Sequence, residues 1–412
     1  MNQITLPLDI KSLEVLSQRI DSEGNIVLKV RSTNDRSTCH KCGKPATKLN
    51  GHAPMRRIQH LPIFETPVYL EIVPVRYICE HCDDGPTTTE QYDWVDRNAS
   101  ITKGLEAHLL RSLINSTIED VSVKSGLGCK VIQAALDRQV AEKVDWTDFK
   151  SLGTLGLDEI ALKKGHDSYM TIVSVRQENG VLRVVAVLDG RDKVSVKSFF
   201  ESIPSALRET VKTVCTDMYD GYVYAATEVF GTRTVVVDRY HVAKLYRKPL
   251  DTLRVKEMAR LKAELEEAEY EKLEGMMWIL RKKHECLSAK DKSALELLYY
   301  YSPLLKKAHR YALKLTCIFN THSSRKSGIA KFGRWIMAVE KSGLSCFRTF
   351  ISTLNKYMPF IANYFKDRKS SGFVEGLNNK IKVIKRRCYG LSKIKTVFQR
   401  LFLDLQGFEI YA

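Results

Sequence analysis

Apolar and polar residues alternate through the first part of the chain in a pattern typical of short β-strands. The clearest stretch is "MRRIQHLPIFETPVYLEIVPVRYI", residues 55–78, in which apolar and polar residues alternate in the manner of short strands. We therefore expect antiparallel strands here, within an N-terminal β module that covers residues 1–97.

From residue 98 to 148 the apolar positions recur every three or four residues, which is the helical period. The stretch "TIEDVSVKSGLGCKVIQAALDRQV" gives a helix, a turn at Gly126 and a second helix from about Cys129 to Val140. This pattern predicts a helix-turn-helix whose second helix could enter a DNA major groove, with Lys130 and Arg138 as candidate DNA contacts. Similar helix pairs also occur in proteins that never touch DNA.

Residues 149–242 predict a mixed sheet. Three strands ("TLGLDEIALKKG", "YMTIVSVRQENG" and "LRVVAVLDGR") are followed by a helical segment and then by two more strands, "KTVCTDMYDGY" and "TRTVVVDRYHV". Short turns allow the first three strands to pair antiparallel, and the helical crossover places the fourth strand parallel to the first. Asp158 and Asp217, near the carboxyl ends of the first and fourth strands, should then lie close together.

A long segment with helical period, residues 243–367, separates this sheet from the C-terminal region. It is too long to be a loop, so we expect an all-α insertion whose ends return to the sheet. The C-terminal helices, residues 368–412, contain the stretch "SSGFVEGLNNKIKVIKRRCYG", in which Glu375 precedes a basic segment.

The chain carries a formal net charge of +17 over 412 residues. Such an excess favours a polyanionic partner such as nucleic acid, although part of it could be solvated surface. The N-terminal residues do not resemble a signal peptide, and no apolar run is long enough to cross a bilayer. We therefore expect a cytoplasmic protein.

Four of the ten cysteines form two CxxC knuckles, "CHKC" with Cys39 and Cys42, and "CEHC" with Cys79 and Cys82. Two such knuckles supply four thiolates to one tetrahedral Zn²⁺, so we predict a structural zinc site. His40 and His81 lie inside the knuckles between better-placed ligands, and we treat both as spectators. The strands between the knuckles should bring them together.

Two adjacent carboxylates remain ionised only if a cation lies between them. Mg²⁺ prefers oxygen ligands, and a pair of such ions can activate an attacking oxygen and steady a leaving oxygen in phosphoryl transfer. Glu375, on a later helix, is a candidate third ligand beside Asp158 and Asp217. The basic residues after it could hold the phosphate backbone of DNA without reading its sequence; they are Lys380, Lys382, Lys385, Arg386 and Arg387.

Taken with the two cysteine knuckles, the strings "GLDEIALKKGHDSY", "VVVDRYHVAKL" and "VEGLNNKIKVIKRRCYG" resemble DDE transposases of the ISL-three insertion-sequence family. The resemblance implies a ribonuclease H-like catalytic domain interrupted by the all-α insertion, two catalytic Mg²⁺ ions, and cutting and strand transfer at the inverted repeats of the element. It also implies a bacterial, nucleoid-associated protein that acts on double-stranded DNA as a homodimer or higher oligomer.

In this resemblance Asp158, Asp217 and Glu375 are the first, second and third catalytic acids. Asp238 is a rival for the second position, because it also follows an apolar strand. We prefer Asp217, which follows the strand adjacent to the first, and give Asp238 and His241 a supporting role. The alternative for this pair is a strand-end cap with a satisfied histidine.

The leading hypothesis is a Mg²⁺-dependent DNA transposase. One alternative is a catalytically inactive, transposase-derived repressor that still binds DNA, although the presence of all three acids argues against it. A Mg²⁺ nuclease acting on RNA or branched DNA would share the metal chemistry, but the zinc and helix-turn-helix modules favour a specific duplex site.

Overall fold

The computed structural model describes residues 7–141, 143–161, 169–368, 372–388, 391 and 393–411, and omits the side chains of Val374 and Glu375. The chain divides into two compact units: residues 1–141 together with 399–412, and residues 142–398. Within the ranges given above, no helix combines the length and apolarity needed to cross a membrane.

The strands of the first unit form one four-stranded sheet and two smaller sheets around the cysteines. The orders are β1-β2-β7-β6, β5-β8-β9 and β3-β4. The strand bounds are β1 Leu13–Ile20, β2 Ile26–Ser32, β3 Ser37–Thr38, β4 Pro45–Ala46, β5 Lys48–His52, β6 Arg56–Ile63, β7 Thr66–Ile72, β8 Val75–Ile78 and β9 Thr87–Thr89.

The antiparallel strands predicted between the knuckles are present as the β6-β7 hairpin. In the sequence, β5 precedes β6 and β8 follows β7, and these two strands also pair antiparallel. They connect the hairpin to Cys42 on one side and to Cys79 on the other. The prediction that these strands bring the knuckles together is confirmed. The alternation did not reveal that β7 also pairs in parallel with β2, because that contact joins segments distant in sequence.

Three helices follow: α1 Lys103–Leu113, α2 Ile118–Ser125 and α3 Cys129–Gln139. Thr117 caps the start of α2 in a reciprocal capping box with Asp120, which satisfies backbone N–H groups that have no helical partner. Gly126 ends α2 with φ of 69°, the left-handed conformation that glycine adopts without strain. The three helices share a buried core with Leu403. In the division predicted from the sequence, Leu403 belongs with the C-terminal helices, residues 368–412, and not with this region.

The second unit is built on a five-stranded mixed sheet of order β12-β11-β10-β13-β14. Its strands are β10 Gly153–Ala161, β11 Tyr169–Arg176, β12 Leu182–Asp189, β13 Val211–Thr216 and β14 Val235–Val237. The first three pair antiparallel, and β13 lies parallel to β10, as predicted. The intervening helices are α4 Lys193–Ser202, α5 Ser205–Arg208 and α6 Asp220–Phe230.

The elements described between β14 and residue 368 are all helices, as predicted. Their apolar faces pack into the same core as the sheet. Its helices are α7 Arg239–Glu264, α8 Glu267–Glu271, α9 Met276–Ile279, α10 Ala289–Tyr301, α11 Pro303–Asn320, α12 Arg325–Lys341, α13 Arg348–Ile361 and α14 Tyr364–Asp367. The chain ends with α15 Gly372–Arg387, which contacts β10, and α16 Ile394–Tyr411.

Candidate active site and metal centre

Three aspartates occupy the carboxyl edge of the second unit's sheet. Asp158 lies on β10, whereas Asp217 and Asp238 come directly after β13 and β14. In the parallel register Gly156 pairs with Cys215, and Thr216 pairs with Val237. Continuing this register places Asp158 beside Asp217, with Asp238 one strand further out.

The carboxyl groups of Asp158 and Asp217 lie in an environment that disfavours their charged forms. The pKa of Asp217 is raised to about 6, chiefly by burial and also by the nearby charges of Asp158 and Glu159, against the opposing effects of the Tyr219 backbone N–H and of His241. Burial also raises the pKa of Asp158, again opposed by His241. A divalent cation would remove this penalty, so the pair has the chemistry of a metal site.

Backbone contacts orient both carboxylates while leaving oxygen lone pairs available. The N–H of Glu159 donates to Asp158 Oδ1 at 2.7 Å, and the N–H of Tyr219 donates to Asp217 Oδ1 at 3.0 Å. Each acid is therefore held by the strand end that carries it.

Asp238 and His241 have different environments. Asp238 is buried, with 4% of the residue exposed, and its side chain caps α7 by accepting a hydrogen bond from the N–H of Tyr240 at 3.1 Å. His241, in the first turn of α7, influences the pKa of both Asp158 and Asp217 and so lies near them. The helix cap considered from the sequence is present at Asp238.

Glu375 lies in the helix α15, and its side chain is outside the described part of the structure. Two later residues of α15 contact β10. The Asn378 amide donates to Asp158 Oδ2, and Lys385 Nζ donates to the carbonyl oxygen of Ala161 at 2.6 Å. Asn378 was not predicted from the sequence, because nothing near the Asn378–Asn379 pair in the sequence indicates its partner on β10.

A second group next to the aspartates was also missed. Arg191 Nη1 forms an ion pair with Glu159 Oε2 at 2.8 Å. The Arg191 guanidinium lies 4.3 Å from the ring centre of Tyr169 and 4.9 Å from that of Tyr219. Gly221 permits this packing, because a Cβ there would lie 2.6 Å from the Tyr219 ring. These contacts join segments distant in sequence, which local patterns do not reveal.

The four knuckle cysteines converge in the first unit, with their sulfur atoms all within 4.8 Å of one another. Cys79 Sγ lies 3.6 Å from Cys42 Sγ and 3.8 Å from Cys82 Sγ. Zinc–sulfur bonds of about 2.3 Å in a tetrahedron require sulfur separations of roughly 3.8 Å, so the cluster fits one structural Zn²⁺.

Backbone N–H groups around the knuckles favour thiolates. The N–H groups of Lys41 and His81 approach Cys39 and Cys79 at 3.4 Å. Hydrogen bonding from the backbone of Cys42 is the largest influence on Cys39, whose pKa falls to about 6. The pKa of Cys79 is nevertheless raised, chiefly by burial, and that of Cys82 is raised to about 12, chiefly by hydrogen bonding with Cys42.

The histidine inside the first knuckle has a partner of its own. His40 Nδ1 is 3.0 Å from Thr88 Oγ1, and the N–H of His40 also approaches that hydroxyl at 3.3 Å. This contact fits the predicted role of His40 as a spectator beside the four sulfur ligands.

The predicted DNA contacts differ in their surroundings. On α3, Lys130 is exposed, whereas Arg138 forms an ion pair with Glu106, whose side chain is only 1% exposed. Arg138 therefore neutralises the buried carboxylate of Glu106 within the first unit.

The basic residues of α15 also differ in exposure. Lys382 and Arg386 are exposed, and three residues are partly buried: Lys380, Lys385 and Arg387. Their DNA contacts remain predictions.

Comparison with known proteins adds independent information. A family model described as a transposase, of DDE type and the ISL3 group, matches residues 155–401. A second model, described as the zinc-finger of transposase IS204/IS1001/IS1096/IS1165, matches residues 35–82. The first range includes the three strand-end aspartates and Glu375, and the second includes the four knuckle cysteines.

Two bacterial relatives align over most of the chain. The transposase for insertion sequence element IS1001 of Bordetella parapertussis is 28% identical over 372 residues, which cover 90% of this chain and 89% of the relative. The transposase for insertion sequence element IS1557 of Mycobacterium tuberculosis is 22% identical over 389 residues, covering 90% of this chain and 86% of the relative.

Proposed function

The chain belongs to the ISL3 family of transposases, and on this premise we propose that it cuts and joins DNA at the ends of an insertion sequence, using Asp158, Asp217 and Glu375 with Mg²⁺. The observation that carries the proposal is the placement of Asp158 and Asp217 side by side at the ends of adjacent parallel strands. Burial raises the pKa of both carboxyl groups, and a bound cation would offset that cost.

The sheet supports a ribonuclease H-like assignment for the catalytic domain. Three antiparallel strands, a crossover helix, and two further strands parallel to the first give the order β12-β11-β10-β13-β14. In this arrangement the acids of the first and fourth strands meet at one edge. On the same helix as Glu375, α15, Asn378 contacts Asp158.

Asp158, Asp217 and Glu375 would hold the two Mg²⁺ ions. When bound, these ions activate the attacking oxygen and stabilise the leaving oxygen in an in-line displacement at phosphorus. Among the groups of the chain itself, His241 favours the ionised form of both aspartates and so supports their role as ligands.

Hydrogen bonds within the chain would keep the two aspartates in position for this role. Asn378 and the backbone N–H of Glu159 fix the two oxygens of Asp158. The N–H of Tyr219 fixes one oxygen of Asp217. The carboxylates are therefore oriented before any ligand binds, which lowers the cost of assembling the site.

The proposed reaction has two steps. In cleavage, a water oxygen bonds to phosphorus while the bond from phosphorus to the 3′ oxygen breaks, and that oxygen takes a proton to become a hydroxyl group. In strand transfer, this 3′ hydroxyl oxygen bonds to a phosphorus of target DNA and displaces a 3′ oxygen there, which takes the proton. In each step one phosphorus–oxygen bond forms as another breaks, so no oxidant or reductant is needed.

We assign end recognition to the first unit. The helices α2 and α3, joined by a three-residue turn at Gly126, would act as a helix-turn-helix, with exposed Lys130 near the start of α3. The zinc-binding module precedes it in the chain. An element has two ends, so we further propose a homodimer or higher oligomer on DNA, acting at the bacterial nucleoid.

Cleavage of the element's own ends tests this proposal. A plasmid carrying both ends should be cut by wild-type protein when Mg²⁺ is added, and should remain intact without a divalent cation. Binding to the ends without cutting, in either Mg²⁺ or Mn²⁺, would contradict the enzyme assignment and favour the DNA-binding repressor. Cutting of RNA or branched DNA in preference to the ends would favour the nuclease.

A further inference from the structure

The helix α11 has one strongly basic side. Lys306, Arg310 and Lys314 follow one another at four-residue intervals, and Lys307 adjoins them. These four residues, called the basic face below, line one shallow cleft that runs along α11. The sequence of α11, PLLKKAHRYALKLTCIFN, contains no aspartate or glutamate.

The contacts of the basic face are with aromatic rings and a backbone carbonyl. Lys306 Nζ lies 5.5 Å from the ring centre of Tyr299, and Lys314 Nζ lies 5.2 Å from that of Tyr311. Lys307 Nζ donates to the carbonyl oxygen of Ser342. Among the described residues, no carboxylate forms an ion pair with any of the four cations.

Neighbouring cations on the same insertion are already neutralised. Asp251 pairs with Arg254 at 2.9 Å and with Arg281 at 3.4 Å, and Asp291 pairs with Lys282 at 2.8 Å. Within the part of the chain that the structure describes, the basic face therefore differs from these cations in lacking counter-charges. Closely spaced cations without counter-charges repel one another, so this arrangement indicates an external anion.

The opposite side of α11 makes the basic face rigid. Leu305, Ala312, Leu315 and Phe319 are buried in the core of the second unit. Since helical rise is about 1.5 Å per residue, the three cations at four-residue intervals are spaced roughly 6 Å apart along the axis. Duplex DNA carries one phosphate charge per ~1.7 Å of its axis, so several phosphates come within reach of this row.

We propose that the basic face of α11 is a docking surface for the phosphate backbone of double-stranded DNA. This inference rests on the proposed function and adds to it a contact made by the helical insertion, separate from α3 and α15. The contact would be independent of sequence, because lysine and arginine on phosphates position DNA without reading bases.

The test compares two triple variants that lose the same charge. The first is Lys306→Gln, Arg310→Gln and Lys314→Gln. The control is Lys262→Gln, Lys290→Gln and Lys292→Gln, which changes exposed lysines elsewhere on the insertion. Affinity for random-sequence duplex DNA is measured against salt concentration without added Mg²⁺, after thermal melting has shown that both variants fold.

The first variant should flatten the slope of log affinity against log salt by about 2–3, since each lost phosphate contact removes ~0.9. The control should leave the slope within about 0.5 of wild type. An unchanged slope in the first variant would overturn the inference. A loss of affinity for single-stranded DNA alone would also overturn it. So would a change in the mass of the variant protein measured without DNA, because the face would then contact a second copy of the chain.

The α11 surface can fail while the proposed function stands. Wild-type protein that binds no duplex DNA at any salt concentration would contradict both proposals. Wild-type protein that binds normally, together with an unaffected first variant, would contradict the α11 surface alone.

Discussion

At the residue scale, the site depends on carboxyl groups whose charges are costly in the absence of metal. The pKa of Asp217 is about 6 against an ordinary 3.8, chiefly because of burial. Between about pH 4 and pH 6 the folded protein therefore holds a proton on Asp217 that the unfolded chain has already lost. Stability from this group declines as pH rises from about 4 through about 6, and a bound divalent cation should restore it.

This gives a prediction for the metal-free protein. A raised pKa of this size corresponds to roughly 2–3 kcal/mol of lost stability once Asp217 is fully ionised. Asp217→Asn should therefore raise the unfolding free energy by about that amount at pH 8, and by less at pH 5. Denaturant unfolding at the two pH values measures it. An equal effect at both would mean that the charge of Asp217 does not destabilise the fold.

Arg191 provides a second residue-scale prediction. Its guanidinium is held by Glu159 and by two tyrosine rings, so Arg191→Ala should lower the unfolding free energy by roughly 1–2 kcal/mol. Lys197→Ala removes an exposed lysine paired with Glu228 and should cost under about 1 kcal/mol. Equal losses in the two variants, measured by denaturant unfolding, would show that the aromatic contacts contribute nothing.

At the scale of elements, the zinc cluster holds together strands that have little core of their own. The small cluster of buried residues around it consists of Cys39, Ala46, Tyr77 and Cys79. Structural zinc contributes roughly 10–16 kcal/mol of binding free energy in small modules, which is enough to decide whether they fold.

We therefore predict one Zn²⁺ per chain and a strong dependence of the first unit on it. Cys39→Ser should reduce the zinc content of purified protein and lower the melting temperature of the N-terminal strands. Cys317→Ser, which alters an exposed cysteine on α11, is the matched control and should change neither quantity. Metal analysis that finds no zinc in the wild-type protein would contradict the assignment.

The elements also show how far the sequence determines the fold. The helical period predicted the all-α insertion, because helices follow a local pattern of apolar residues. The helical crossover predicted that β10 and β13 are parallel neighbours, because it depends on chain connectivity. The parallel pairing of β2 with β7 and the approach of Asn378 to Asp158 depend on tertiary packing, which one sequence does not encode locally. Arg138 was assigned to DNA from its charge and its place on the second helix of the helix-turn-helix, because the sequence does not reveal its buried partner Glu106.

At the scale of the whole molecule, the resemblance to ISL3 transposases is confirmed by the family match over residues 155–401 and by relatives aligned over 90% of the chain. The mixed α/β architecture and the N-terminal cysteine cluster were likewise predicted correctly. The roles of individual acids remain proposals. The catalytic roles of these acids would distinguish an active transposase from an inactive DNA-binding relative.

The most direct test of the central claim is cleavage of terminal-repeat DNA by four variants that keep side-chain shape and remove charge. Asp158→Asn, Asp217→Asn and Glu375→Gln should abolish Mg²⁺-dependent cleavage while DNA binding persists. Asp238→Asn should reduce cleavage without abolishing it, since asparagine also caps helices well. Thermal melting checks that each variant folds. An active Asp217→Asn beside a folded but inactive Asp238→Asn would contradict the account.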